Sequence, residues 1–230
     1  MAYQSDIIKE SWGFFKEHIK AIIYFMLPII IVTSIMSDLL ISLLPMTQTE
    51  EASSMEWLTM FAYFLIKANF YALDVALFLH YMKNTINETG FNGLLLIFSF
   101  LPKLPGLLLL TSLAASFILL GLIAMILPGL WLALRFSYAW MYFSFEDLNP
   151  FVSLYKSFKE TKDDASIIIP SFIVIALPFA FFMVFYIIIT GMFLNAFFLS
   201  FTISIIASFV FLFLQVVLFR IYSQYGHKIT

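Results

Sequence analysis

Positions 21–44 carry one charged side chain, Asp38, and similar apolar blocks recur at 57–82, 105–127, 130–146, 166–191 and 195–221. A helix needs about 20 consecutive, mostly apolar residues to cross the hydrocarbon core of a bilayer. The pattern therefore predicts an all-α polytopic membrane protein with six transmembrane helices. The fourth block is the shortest, and Arg135 interrupts it. Six such helices with short connections account for the whole of 1–230, which predicts a single integral membrane domain.

Between the blocks the apolar positions become periodic. "SDIIKESWGFFKEHIK" spaces Ile8, Trp12, Phe15 and Ile19 three or four residues apart, while Lys9, Glu10, Lys16, Glu17 and Lys20 mostly face away. That spacing predicts an amphipathic helix lying at the membrane surface. "NPFVSLYKSFKETKDD" repeats it with Phe151, Leu154, Tyr155 and Phe158, and Asn149 followed by Pro150 forms a helix start signal. "TGFNGLLLIFSFLPKLPG" holds the equivalent place but is more apolar. The chain thus divides into three units, 5–82, 89–146 and 148–221, each an interfacial segment followed by a transmembrane hairpin. Ser11-Trp12 and Lys16 match Ser157-Phe158 and Lys162 at the same offsets. An internal repeat and a shared tendency of polar connectors to settle at the interface both account for this texture.

Composition agrees with the pattern: 63% of residues are apolar, 11% are charged and the mean hydropathy is +1.00, outside the range of soluble domains. The net charge is -2 and no run of like charges forms a nucleic-acid patch, so the expected partners are the lipid bilayer and, beyond it, other membrane proteins. Oligomeric state is not readable. With no cysteine, disulfides, thiol nucleophiles and cysteine metal sites are excluded. With six spans, Lys9, Lys16, Lys20, Lys83, Lys103, Lys156, Lys159, Lys162, Arg220 and Lys228 fall on one side. The opposite loop "PMTQTEEASSMEW" has only acids, Glu50, Glu51 and Glu56. Basic residues mark the cytoplasmic side, which predicts both termini in the cytoplasm. An odd number of spans would destroy the segregation. Acids and bases run through the first twenty residues, so the reading predicts a retained first span and no cleavable signal peptide.

Four charges then lie inside the membrane: Asp38, Lys67, Asp74 and Arg135. Each needs a partner, a water-filled cavity or a route to the interface. Lys67 sits about 15 Å along its helix from the outer end, near the midplane, and Asp74 follows two turns later on the same face. Pro128-Gly129 reads as the tight outer turn of the middle hairpin, with Trp131 anchoring it. Asp38 and Arg135 then share an outer depth and are expected to pair, and Lys67 is expected to meet a carboxylate or helix carbonyls. One reading makes these charges internal ties that fix helix packing. The other makes a polar path in which Lys67 and Arg135 bind a lipid phosphate or a permeating anion and Asp74 relays charge.

Remaining features narrow the chemistry. His18, His80 and His227 form no ligand pair, which argues against a metal site, and "NET" at Asn87 falls on the predicted cytoplasmic side. Trp12, Trp57, Trp131, Trp140, Tyr142, Tyr155, Tyr222 and Tyr225 gather near span ends as an aromatic belt. Pro28, Pro170 and Pro178 fall within spans, where they can kink helices. No phosphate-binding loop or nucleophile elbow is present, so no cofactor and no enzyme activity are expected.

The stretch "LPKLPGLLLLTSLAASFILLGLIAMILPGLWLALRFSYAWMYFSFEDLNPFVSLYKSFKETKDD" resembles the middle of the YciC-like family of bacterial inner-membrane proteins, and "SWGFFKEH" resembles that family's opening segment. Its "PG…R…S" portion is also similar to the membrane domain attached to some glycerophosphodiester phosphodiesterases. The resemblance implies a six-helix inner-membrane protein and carries no biochemical activity. The soluble catalytic domain of the phosphodiesterases has no counterpart in this sequence. A non-catalytic role in membrane organisation or envelope maintenance is expected, with transport of a small solute or lipid as the alternative.

Overall fold

A computed structural model describes residues 2–44, 53–86, 93–190 and 196–224. The described elements are helical: α1 Ala2–Ser42, α2 Ser53–Ile86, α3 Gly93–Phe100, a short 3-10 turn Leu101–Lys103, α4 Leu104–Ala124, α5 Ile126–Arg135, α6 Ala139–Phe145, α7 Pro150–Thr190 and α8 Ala196–Gln224. Glu50 and Glu51 of the acidic loop, Asn87, Tyr225, His227 and Lys228 lie outside the described residues.

Five stretches are long and apolar enough to cross a membrane: Asp6–Ser42, Trp57–Ile86, Leu95–Ala124, Asp164–Ile188 and Phe201–Ser223. The segment expected as the fourth span is instead broken, with α5 ending at Arg135 and α6 beginning at Ala139. It still retraces the whole of α4. The Phe117 and Phe136 ring centroids lie 6.3 Å apart, Trp140 Nε1 lies 3.4 Å from Thr111 Oγ1, and a Cβ on Gly106 would lie 3.1 Å from the Phe143 ring. The chain has returned to the α4 start by Asp147, whose carboxylate accepts from both Lys103 and Lys83.

The hairpin turn also differs from expectation. It is a single extended residue, Met125 (φ -167°, ψ 152°), while Pro128 and Gly129 lie within the first turns of α5. Proline is at home there because the first helical N–H groups have no intrahelical acceptor. Gly129 instead supplies closeness: a Cβ on Gly121 would stand 2.9 Å from the Gly129 Cα, so the two helices touch backbone to backbone.

The amphipathic segments are not separate surface helices but the first turns of α1 and α7. In α1 no proline intervenes before Pro28, and one buried stripe runs on unbroken through Ile7, Ser11, Phe15, Ile22, Met26, Ile30 and Ser37. Its steps of four and seven residues keep one face toward the bundle. The predicted Trp12 lies off that stripe and is exposed. In α7 the start signal forms as expected, with Val152 N donating to Asn149 Oδ1 at 2.9 Å.

Burial is uneven along the helices. Ala72–Met82 of α2, Phe136–Phe145 and Leu212–Tyr222 of α8 form the dense core. Leu39, Leu43, Leu177, Phe181, Phe185 and Ile188 near the other helix ends are exposed, an apolar surface that suits lipid.

Candidate functional site

The four charges expected inside the membrane form one cluster and one outlier. Lys67 Nζ lies 2.6 Å from Asp38 Oδ1 and 3.1 Å from Ser37 Oγ, with side chains only 17% and 24% exposed for Lys67 and Asp38. One turn deeper along α1, Thr33 Oγ1 donates to Asp74 at 3.0 Å from Oδ1 and 3.3 Å from Oδ2. Helical spacing puts the groups on facing stripes: Thr33 and Ser37 are one turn apart on α1, Lys67 and Asp74 two turns apart on the antiparallel α2, and the long lysine side chain spans the extra turn to reach Ser37 and Asp38. Ser204 and Ser208, also one turn apart, bring α8 to the same place. The cavity left among these groups is about 10 Å³, room for about one water molecule.

Lys67 is thus bound by a carboxylate and a hydroxyl, and Asp74 by a hydroxyl. An ion pair offsets much of the cost of removing two charges from water, provided further hydrogen bonds satisfy them. Recruiting Lys67 to a transported anion would break its bond to Asp38.

Arg135 is elsewhere, and its expected pairing with Asp38 is not formed. Asp38 is held by Lys67, whereas Arg135 Nη1 donates to the Phe158 carbonyl at 3.3 Å. Its guanidinium stacks 4.9 Å from the Trp131 ring centroid and 5.4 Å from that of Phe158. Arginine's flat, weakly hydrated head favours such aromatic faces. Its own carbonyl, freed where α5 ends, accepts from Ser157 Oγ at 2.7 Å and Thr161 Oγ1 at 3.1 Å. Ser157 Oγ also accepts from Tyr138 N at 3.2 Å, so α7 caps the helix break with side chains.

A second polar cluster, absent from the sequence expectations, joins α6, α7 and α8. Tyr138 OH donates to Asp164 Oδ2 at 2.9 Å, Tyr142 OH donates to Glu160, and Tyr222 OH donates to Glu146 Oε1 at 2.6 Å. Lys156 Nζ completes it, 2.6 Å from Glu146 Oε2. The signal was present as two four-residue steps, Tyr138 to Tyr142 and Glu160 to Asp164, which put two tyrosines and two acids on facing helix stripes. A Tyr142→Phe variant is expected to unfold more easily by about 1.5–3 kcal/mol, the usual worth of a hydrogen bond to a charged group. Equilibrium unfolding in mixed micelles measures it; a shift below a few tenths would show that the contact adds nothing.

At the lysine-bearing end, Asp147 has a positive φ of 53° and ties α2 to the start of α4 through Lys83 and Lys103. Partial burial pushes its carboxyl up, but the two lysines outweigh this and hold it below its ordinary value of 3.8. A depressed carboxylate stabilises fully above its unfolded value and loses that contribution as pH falls through the folded one. Asp147→Asn keeps a residue that tolerates the left-handed region. Its thermal midpoint is expected to fall below that of the unaltered protein at pH 6 and to converge with it as pH drops below 3.8. A gap unchanged by acid would contradict the ion pairing.

Comparison with family models, curated proteins and solved structures finds no match to this chain. Its helices, long and apolar enough for several crossings, support a multi-pass membrane protein.

Proposed function

We propose that this chain is a bacterial inner-membrane protein of the YciC-like kind, with six crossings and both termini in the cytoplasm, and that it serves as a non-catalytic component of membrane organisation. The observation that carries this reading is the internally paired charge cluster: Lys67 is bound to Asp38 at 2.6 Å beside a cavity of only about 10 Å³. A solute path needs a continuous polar lining wide enough for its cargo. Arg135 is bound away from the cluster, so the transport alternative loses the cation that was to act with Lys67. The return of the broken α5–α6 segment to Lys103 supports an even number of crossings, because it keeps the lysine-bearing ends together.

The test is purified protein in liposomes, assayed for ion and lipid flux beside Lys67→Leu and Arg135→Leu. No flux above that of empty vesicles is expected from any of the three. Flux in the unaltered protein that disappears in folded variants would overturn the reading. A reporter fused after Glu51 is expected on the periplasmic side; a cytoplasmic reporter would remove the six-crossing arrangement.

A further inference from the structure

A larger cavity, about 190 Å³, lies between α2, α4, α6 and α8, and Tyr71 separates it from the small cavity of the charged cluster. Its walls are mostly apolar, with Phe64, Ala72, Ala115 and Phe211 among them. Alanine at two of these positions leaves the space that larger side chains would fill. One wall is different. Gln215, on α8 and only 4% exposed, contributes a side-chain amide whose Oε1 has no hydrogen-bond partner. The other polar groups at the wall have partners: Thr111 Oγ1 faces the Trp140 Nε1 at 3.4 Å, and the Tyr71 hydroxyl is hydrogen-bonded with Ser204.

An unpaired amide oxygen in an apolar chamber is costly, and native proteins rarely leave one without reason. Lipid tails offer no donor, so an acyl chain filling the cavity would leave the Gln215 oxygen unpaired. An apolar cavity of about 150 Å³ is enough to hold benzene, so 190 Å³ takes a single ring with a small substituent. We propose that this cavity binds a membrane-soluble, single-ring molecule bearing a hydroxyl group, of the phenol or hydroquinone class. The ring fills the space between Phe64, Phe211 and the two alanines, and the hydroxyl donates to Gln215 Oε1.

Trp140 in the cavity wall provides the readout. The full chain carrying Trp12→Phe, Trp57→Phe and Trp131→Phe, reconstituted in nanodiscs, is titrated with 4-bromophenol and with 4-bromotoluene. Both bromides quench tryptophan on contact, and the second replaces the hydroxyl by a methyl of similar size. Saturable quenching is expected, at least about tenfold tighter for the phenol, which corresponds to one hydrogen bond to an otherwise unpaired group. Gln215→Leu should erase that preference while leaving 4-bromotoluene binding in place, and Ala115→Leu should weaken both probes. Equal affinity for the two probes, or quenching that neither saturates nor responds to Ala115→Leu, overturns the proposal. Because the paired probes act on a chain that retains Gln215, the comparison decides the matter even if Gln215→Leu does not fold.

Discussion

Replacing Lys67 by methionine is expected to destabilise the protein by about 3–5 kcal/mol, because the Asp38 carboxylate would be left unpaired inside the bundle. The partners are 2.6 Å apart, and no other described cation pairs with Asp38. Asp38→Leu alone should cost a similar amount by stranding the ammonium. The informative variant is the double one. With both charges replaced by apolar side chains of similar volume, stability should return to within about 1 kcal/mol of the unaltered protein, or exceed it, since the desolvation cost disappears with the pair. Unfolding in mixed micelles across the four proteins gives the coupling directly. Additive losses in the double variant would mean that the two side chains act separately, and the charge cluster would no longer count as a tie.

A second large effect is expected at the middle hairpin. Alanine is favoured over glycine inside a helix by about 1 kcal/mol, so propensity alone makes Gly129→Ala stabilising. Packing reverses the sign. A Cβ at Gly129 would stand 2.4 Å from Leu122 Cγ and 2.6 Å from Leu122 N, and a backbone atom cannot move aside as a side-chain tip can. Overpacking of this kind costs about 1–3 kcal/mol, and the backbone clash puts Gly129→Ala at the upper end. Gly13→Ala is the internal control: nothing lies within 4 Å of the added carbon, so the same substitution there should stabilise α1 by about 0.5–1 kcal/mol. Thermal unfolding of the two variants should shift in opposite directions. Parallel shifts would show that α4 and α5 do not meet at Gly121 and Gly129.

These two sites also show what the sequence revealed and what it hid. Apolar length and helical period are local quantities, and they placed the five long apolar helices and the start of α7 at Asn149, but not the break between Arg135 and Ala139. They also marked α1 as helical from its first turns, although the absence of a breaker between its amphipathic and apolar parts was the clue that the two are one helix. Pro128-Gly129 was ambiguous, since proline suits a turn and the first turn of a helix equally well. The extended residue at Met125 decides between them. Charge depth was readable along each helix, but the choice of partner depends on how helices rotate and which neighbours they take. Asp38 therefore paired with Lys67 of α2 rather than with Arg135 of α5. The tyrosine and acid ladder was hidden for another reason: Tyr142 and Tyr222 suit an aromatic belt equally well, and only the fold brings Glu146 and Glu160 to their hydroxyls.

The Lys67 charge is spent on Asp38 inside the bundle. Because the chain has no cysteine, an introduced pair has no competing thiol. The most direct measurement is crosslinking in native membranes with a short bifunctional methanethiosulfonate, comparing the double variant Asp38→Cys, Lys67→Cys with Asp38→Cys, Arg135→Cys. Rapid intramolecular crosslinking is expected of the first pair and none of the second. Crosslinking of 38 to 135 in preference to 67 would contradict it.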